Sequence, residues 1–96
     1  MNMNNYPSRD SLAKAVTIIR TYKGLSRGDL AETSGLSYPY ICEIEKAGKE
    51  PSFRTVVLIA SALNVTLSSL MRIAEDIEAN KPLIAGLDEP VVPVLA

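Results

Sequence analysis

Histidine and tryptophan are absent from this sequence of 96 residues, and Cys42 is its single cysteine. The lack of histidine removes the commonest general base and the commonest metal ligand. One cysteine cannot form an internal disulfide or a cysteine-rich zinc site, and it suits a reducing compartment. We therefore expect no metal, no cofactor and no small-molecule substrate, and no residue pattern indicates an enzyme.

Long apolar runs are also missing. No segment approaches the roughly 20 apolar residues that a membrane-spanning helix needs. The first ten residues, MNMNNYPSRD, lack the apolar centre of a signal peptide. We therefore expect a cytoplasmic protein without a membrane partner.

Hydrophobic residues make up 47% of the chain, enough for one small domain with an aliphatic core. Apolar residues at helical spacing predict five short helices, with the sequences SLAKAVTIIRTYK, RGDLAETS, YPYICEIEKA, FRTVVLIASAL and LSSLMRIAEDIEAN. Capping residues stand before them: Ser8 or Asp10, then Ser26, Ser37, Ser52 and Thr66. The first four end at Gly24, Gly35, Gly48 and Asn64. This predicts an all-α domain at residues 10–80, after a flexible N-terminus at residues 1–9.

The spacing also predicts which side chains form the core. In the first helix the predicted inward residues are Leu12, Ala15, Val16, Ile19 and Tyr22, and in the fourth they are Val56, Val57, Ala60 and Leu63. The fifth helix presents Leu67, Leu70, Met71, Ala74 and Ile77, which is more apolar surface than one short helix needs against its own core.

The C-terminal tail, residues 81–96, differs in composition from the helical part of the chain. Pro82, Pro90 and Pro93 forbid a continuing helix, yet the segment is strongly apolar. A non-helical apolar tail is expected to lie against something, because disordered tails are usually polar. We predict a homodimer through the end of the fifth helix, with the tail covering that interface or crossing to the partner. The alternative is a tail that folds back on its own domain and leaves a monomer.

The second and third helices are joined by only three residues, Gly35, Leu36 and Ser37. A turn this short forces the two helices to cross steeply, and glycine supplies the positive φ that it needs. The arrangement predicts a helix-turn-helix, whose second helix can enter the major groove of DNA.

The segment LSRGDLAETSGLSYPYICEIEKAGKEPSFRTVVLIASAL, followed by VTLSSLM, resembles the Cro/cI-type (XRE) DNA-binding domain over roughly residues 12–71. The resemblance implies a lambda-repressor-like fold of five helices, binding to double-stranded DNA and often a dimer. The function that it implies is a sequence-specific transcriptional regulator of the phage-repressor type, reading a palindromic operator through the helix at about residues 38–47.

The resemblance also implies roles for individual residues. Tyr38, Pro39 and Glu43 occupy positions that face base edges in the family, where glutamine or arginine is frequent, so no base preference is carried over. Tyr38 could stack on a sugar or touch a thymine methyl group. Glu43 is either an acceptor for a cytosine amine or a solvated charge, and for Tyr40 a phosphate contact through the hydroxyl is favoured over packing alone.

Charge is nearly balanced, with ten basic and eleven acidic residues and a net charge of -1. This leaves an alternative function, a protein-interaction adaptor with the same fold. Helix starts bind phosphate without side-chain charge, however. We therefore predict further DNA contacts at Arg27, Ser37, Lys46, Ser52 and Arg54.

Arg20 and Glu45 match places in the family that often form a largely buried ion pair. The alternative is two independent surface charges. Such a pair need not add net stability, but losing one partner strands the other charge.

Overall fold

The computed structural model describes residues 6–79, which form five α-helices and no strand. Their bounds are α1 Arg9–Tyr22, α2 Arg27–Ser34, α3 Tyr38–Glu45, α4 Phe53–Ala62 and α5 Leu67–Glu78. The predicted all-α fold of five helices is confirmed. The predictions for the tail at residues 81–96, and for the first five residues, lie outside the described residues.

Every helix begins after a hydroxyl-bearing residue. Ser8, Ser26, Ser37, Ser52 and Thr66 are the N-caps, and each side chain accepts a hydrogen bond from the backbone N–H three residues later. Such a cap stabilises a helix by about 1 kcal/mol. For α1, Ser8 is the cap and Asp10 lies within the first turn, so this helix begins one residue earlier than the predicted domain boundary.

Three of the four predicted helix ends hold a left-handed residue, namely Gly24 at φ 73°, Gly35 at φ 79° and Asn64 at φ 59°. At the end of α3 the prediction of Gly48 is wrong, because Ala47 adopts the left-handed conformation at φ 61°. Gly48 follows it, and its N–H donates to the Glu43 carbonyl at 2.8 Å. The end of α3 therefore has an alanine where glycine would be unstrained.

The core is aliphatic, as predicted. Its fully buried large side chains come from all five helices, from the end of α4 and from the residue before the α1 cap: Pro7, Leu12, Leu30, Ile41, Ile44, Ile59, Leu63 and Leu70. Two predicted core residues are instead on the surface, since Tyr22 is 87% exposed and Val57 is 39% exposed. Tyr22 is the last residue of α1, and Val57 lies off the stripe of Val56, Ile59 and Leu63 that faces inward.

The sequence predicts that α5 has more apolar surface than its own core needs, and this is wrong for Leu70 and Ala74. Leu70 and Ala74 are 0% exposed. Leu67, Met71 and Ile77 are partly buried against the same core. The helix is further joined to α1 by Glu78, whose Oε1 accepts hydrogen bonds from the Ser8 N–H at 3.0 Å and the Ser11 hydroxyl at 2.7 Å. Most of the apolar face of α5 is therefore used within its own domain.

Within residues 6–79, no single helix has the length and apolarity to cross a membrane. Only α4 and α5 taken together reach that length and apolarity, and they are bent by 107° where they meet.

Candidate nucleic-acid interface

The turn between α2 and α3 fixes how α3 is presented. Gly35 closes α2 in the left-handed conformation, with its N–H donating to the carbonyl of Ala31 at 3.0 Å. The N–H of Leu36 donates to the Ser34 hydroxyl at 3.2 Å, and the Leu36 side chain packs against the core. Ile41 and Ile44 anchor the inner face of α3, so its other face points away from the core.

The first turn of α3 is the exposed tip of this unit. Tyr38 is 53% exposed, and Pro39 beside it is also exposed. Pro39 stands at the second helical position, where a helix has no partner for the missing N–H. The Ser37 hydroxyl accepts from the Tyr40 N–H at 3.2 Å, which completes a first turn without strain.

Glu43 lies on the same helix but folds toward its C-terminal end. Its carboxylate sits over Gly48 and within 3.7 Å of the Lys46 Nζ, with 40% of the side chain exposed. Lys46 is 64% exposed and is the C-cap of α3. The two residues form a loose surface ion pair, of the kind that stabilises by less than about 1 kcal/mol.

Behind this face, the carboxylate of Glu45 binds two arginines. Arg20 Nε donates to Oε2 at 2.7 Å and Arg20 Nη2 donates to Oε1 at 3.0 Å. Arg27 Nε donates to Oε1 as well, at 2.9 Å. The Glu45 side chain is 0% exposed, whereas Arg20 and Arg27 are 13% and 40% exposed. One carboxylate thus joins α1, α2 and α3.

The two arginines decide the charge state of Glu45. Burial alone would raise the pKa of this carboxyl, but hydrogen bonds from Arg20 and Arg27 outweigh it and hold the pKa below its ordinary value. The hydrogen bond to Glu45, and then its negative charge, raise the pKa of the Arg27 guanidinium. Arg20 also donates from Nη1 to the Leu25 carbonyl at 2.8 Å, which ties the pair to the loop before α2.

The family resemblance predicts the ion pair of Arg20 with Glu45, but it does not predict that Arg27 binds the same carboxylate. Arg27 was predicted only as a phosphate contact at the start of α2. Its sequence neighbours Ser26 and Gly28 give no sign of a partner on α3. The one available signal was that two arginines and one glutamate lie on helices expected to pack together.

A second polar cluster links α3 to the start of α4. The hydroxyls of Tyr40 and Thr55 are 3.3 Å apart, and the Ser52 hydroxyl donates to Thr55 Oγ1 at 3.0 Å. Thr55 is buried, while Tyr40 is half-buried and Ser52 is exposed. Ser52 also caps α4, so two of the residues predicted to contact phosphate meet at one helix N-terminus. Arg54, two residues after Ser52, is exposed.

No group of three or more potential metal ligands occurs within residues 6–79. Cys42 is half-buried on α3 and forms no disulfide.

Known proteins share this arrangement. The helix-turn-helix family model matches residues 18–70. The control protein C.SmaI of Serratia marcescens is 33% identical over 63 residues, which cover 66% of this chain and 75% of that protein. The family-model match spans the unit from the second half of α1 to the start of α5.

Two solved structures extend the likeness to three dimensions. The clp gene regulator ClgR of Corynebacterium glutamicum is 27% identical, covers 95% of this chain and 93% of its own, and superposes with a TM-score of 0.73. The restriction-modification controller C.AhdI of Aeromonas hydrophila is 29% identical, covers 65% and 94%, and has a TM-score of 0.63. This chain belongs to the helix-turn-helix family and is a DNA-binding transcriptional regulator of the Cro/cI (XRE) type.

Proposed function

We propose that the protein reads a palindromic operator through the first turn of α3. The observation that carries this proposal is the exposure of Tyr38, 53%, next to the exposed Pro39 at the tip of the helix-turn-helix. A helix in the major groove meets base edges with its N-terminal residues. Tyr38 can touch a thymine methyl group or a sugar there. Glu43 would have to leave Lys46 and Gly48 to accept from a cytosine amine.

The phosphate contacts that we propose flank this turn on both sides. Arg27 lies at the start of α2, and Ser52 and Arg54 lie at the start of α4. In this proposal the free N–H groups of both helix N-termini would meet the DNA backbone. Lys46 follows α3, and Ser37 and Tyr40 lie at its beginning. Such contacts set position and affinity, whereas the bases set sequence preference.

Low net charge makes dimerisation part of the proposal. With a net charge of -1, one domain has little electrostatic attraction for DNA. Two copies related by a two-fold axis place their groove helices about 34 Å apart, one turn of DNA, and double the contacts. A cytoplasmic location follows from DNA as the partner.

The surface best suited to a second copy lies on α4 and the start of α5. Phe53 is 68% exposed and Val57 is 39% exposed on the outer side of α4. Beside them is an open groove of about 400 Å³. Its lining is uncharged: Val57, Ala60, Ser61, Asn64, Val65, Thr66 and Leu67. Two such faces can meet without repulsion between like charges, and their contact would remove the exposed Phe53 and Val57 side chains from water.

Selection of binding sites from random DNA tests the function directly. With purified full-length protein we expect enrichment of a palindrome with half-sites about one helical turn apart. Replacing Tyr38 by alanine should change the selected sequence, whereas replacing Lys46 by alanine should weaken all sequences together. Absence of any enrichment at low salt would contradict operator reading and favour the adaptor function.

A matched pair of substitutions tests the dimer face. Val57 and Ile18 are equally exposed, at 39%, but Ile18 lies on α1. Val57→Glu should convert the dimer to a monomer in sedimentation at micromolar concentration, and Ile18→Glu should not. A wild-type protein that sediments as a monomer would end the dimer proposal. Truncation after residue 80 shows whether the tail is needed as well.

The relatives differ in the genes that their names connect them with. C.SmaI is named as a control protein, C.AhdI as a restriction-modification controller and ClgR as a clp gene regulator. What these three have in common is gene regulation, and that is what we carry over to this chain.

A further inference from the structure

The Glu45 cluster contains one more arginine than the carboxylate requires. Arg20 alone supplies two hydrogen bonds to Glu45, one to each oxygen, and is itself almost enclosed at 13% exposure. A buried carboxylate with such a partner is neutralised. Arg27 adds a second positive charge and remains 40% exposed. The cluster therefore has a net positive charge at its outer edge, between α2 and α3.

Arg27 is held by only one edge of its guanidinium group. Its Nε donates to Glu45 at 2.9 Å, and within residues 6–79 its two terminal nitrogens make no hydrogen bond. A guanidinium carries five N–H donors in one plane, so the bond from Nε restricts the directions in which the remaining four can point. The group lies against α3, because Glu45, to which its Nε donates at 2.9 Å, is the last residue of that helix. The free donors are thus beside α3, on a side chain that is 40% exposed.

We propose that Glu45 is a positioning residue for DNA binding, which aims the guanidinium of Arg27 at a backbone phosphate beside the base pairs that α3 reads. The proposal rests on the proposed function, since it assumes that α3 lies in the groove. A long side chain that is already fixed loses less rotational freedom when it binds. Glu45 itself never touches DNA, because it is completely enclosed.

The same carboxylate oxygen serves the core and the interface. Oε1 accepts from both Arg20 Nη2 and Arg27 Nε, at 3.0 Å and 2.9 Å. A change at Glu45 should therefore alter DNA affinity through Arg27 and stability through Arg20. These two effects can be separated, because Arg27 can be changed without touching the pair of Arg20 with Glu45.

A double-mutant cycle on DNA affinity tests the proposal. Glu45→Gln, Arg27→Ala and the double variant are compared with wild type on a selected site and on a random duplex, below the unfolding temperature of each. Arg27→Ala should weaken binding roughly tenfold and lower the slope of log affinity against log salt by about one. Glu45→Gln should weaken wild type by a similar factor but have no further effect when Arg27 is absent.

The outcomes separate this proposal from the proposed function. If Glu45→Gln weakens binding equally in both backgrounds, it acts through the fold and the positioning role is wrong. If Arg27→Ala leaves affinity and salt slope unchanged, Arg27 does not contact DNA and both the positioning role and that phosphate contact fail. Altered base preference in Tyr38→Ala would still support groove reading by α3 in either case.

Arg27→Lys provides a test that does not require changing the core. Lysine keeps the charge, and hence the salt slope, but has no Nε edge to rest on Glu45. We expect its affinity to fall most of the way to that of Arg27→Ala, and Glu45→Gln to have little effect on it. Wild-type affinity in Arg27→Lys would mean that charge alone suffices and would overturn the proposal.

Discussion

Both ends of α1 are held by a carboxylate from another helix, but the two carboxylates have different surroundings. At the C-terminal end, Glu45 is enclosed and binds Arg20 and Arg27. At the N-terminal end, Glu78 is exposed and accepts from the Ser11 hydroxyl and the Ser8 N–H. The pKa lies below its ordinary value in both. Only Glu45 would be left as a buried charge if its partners were removed, so the same direction of pKa shift has different consequences for stability.

The largest expected effect concerns the buried cluster. Arg20→Met should lower the free energy of unfolding by about 3 kcal/mol, since Glu45 loses its better partner but keeps Arg27. The double variant with Glu45→Leu should lose less, because no buried carboxylate remains. Denaturant unfolding of the single and double variants measures the coupling. Additive losses would mean that the buried charge is not what makes the single change costly.

A smaller effect on the free energy of unfolding, of the opposite sign, is expected for a substitution of Ala47, two residues after Glu45. Ala47 adopts φ 61°, where glycine is free of strain. Ala47→Gly should raise the free energy of unfolding by about 0.5–1 kcal/mol, after allowing for the greater freedom of glycine in the unfolded chain. Thermal unfolding checks the sign. Lys23→Gly is a suitable control, because that residue follows α1 with φ -85° and gains nothing from glycine. Destabilisation by Ala47→Gly would mean that its methyl group contributes more through packing than its conformation costs.

The smallest effect on stability is expected for a substitution of Glu78, the exposed carboxylate, and it depends on pH. Hydrogen bonds from the Ser11 hydroxyl and then the Ser8 N–H lower the pKa of Glu78 from 4.5 to about 2. A folded-state pKa below the unfolded value stabilises above pH 4.5, and this contribution is lost as the pH falls toward 2. Glu78→Gln should therefore lower Tm at neutral pH, and the difference from wild type should shrink below pH 4.5.

Glu75 provides the control on the same helix. It is exposed, and its carboxylate accepts no hydrogen bond from the residues described. Glu75→Gln should leave Tm at neutral pH unchanged. A Tm difference for Glu78→Gln that stays constant from pH 7 to pH 3 would show that its hydrogen bonds to α1 do not depend on its charge.

Local signals in the sequence were sufficient for the helices. Caps such as Ser26 and Ser52 and the apolar stripes depend on residues within one or two turns, so five helices could be placed before the structure was known. The prediction of Gly48 fails because glycine at a helix end usually has positive φ, whereas here Ala47 adopts that conformation. Tyr22 and Val57 were misjudged because helical spacing does not show how wide the buried face is.

The candidate site was predictable only in outline. The short turn at Gly35 indicated which helix would be presented, and the resemblance indicated which of its residues face outward. The bond from Arg27 to Glu45 depends on how steeply α2 crosses α3, and a long flexible side chain can reach several partners. The cluster of Tyr40, Thr55 and Ser52 likewise depends on the approach of α4 to α3, which the linker sequence does not specify.

The first turn of α3 also has a thermodynamic consequence. Ser37 caps it and Pro39 fixes one of its φ angles, so its conformation is formed before DNA arrives. Segments that fold on binding add a large negative heat-capacity change and an unfavourable entropy to the association. With this turn already formed, and with Tyr38 and Pro39 at the bases as we propose, the heat capacity of DNA binding should reflect mainly the apolar surface that these two residues would remove from water.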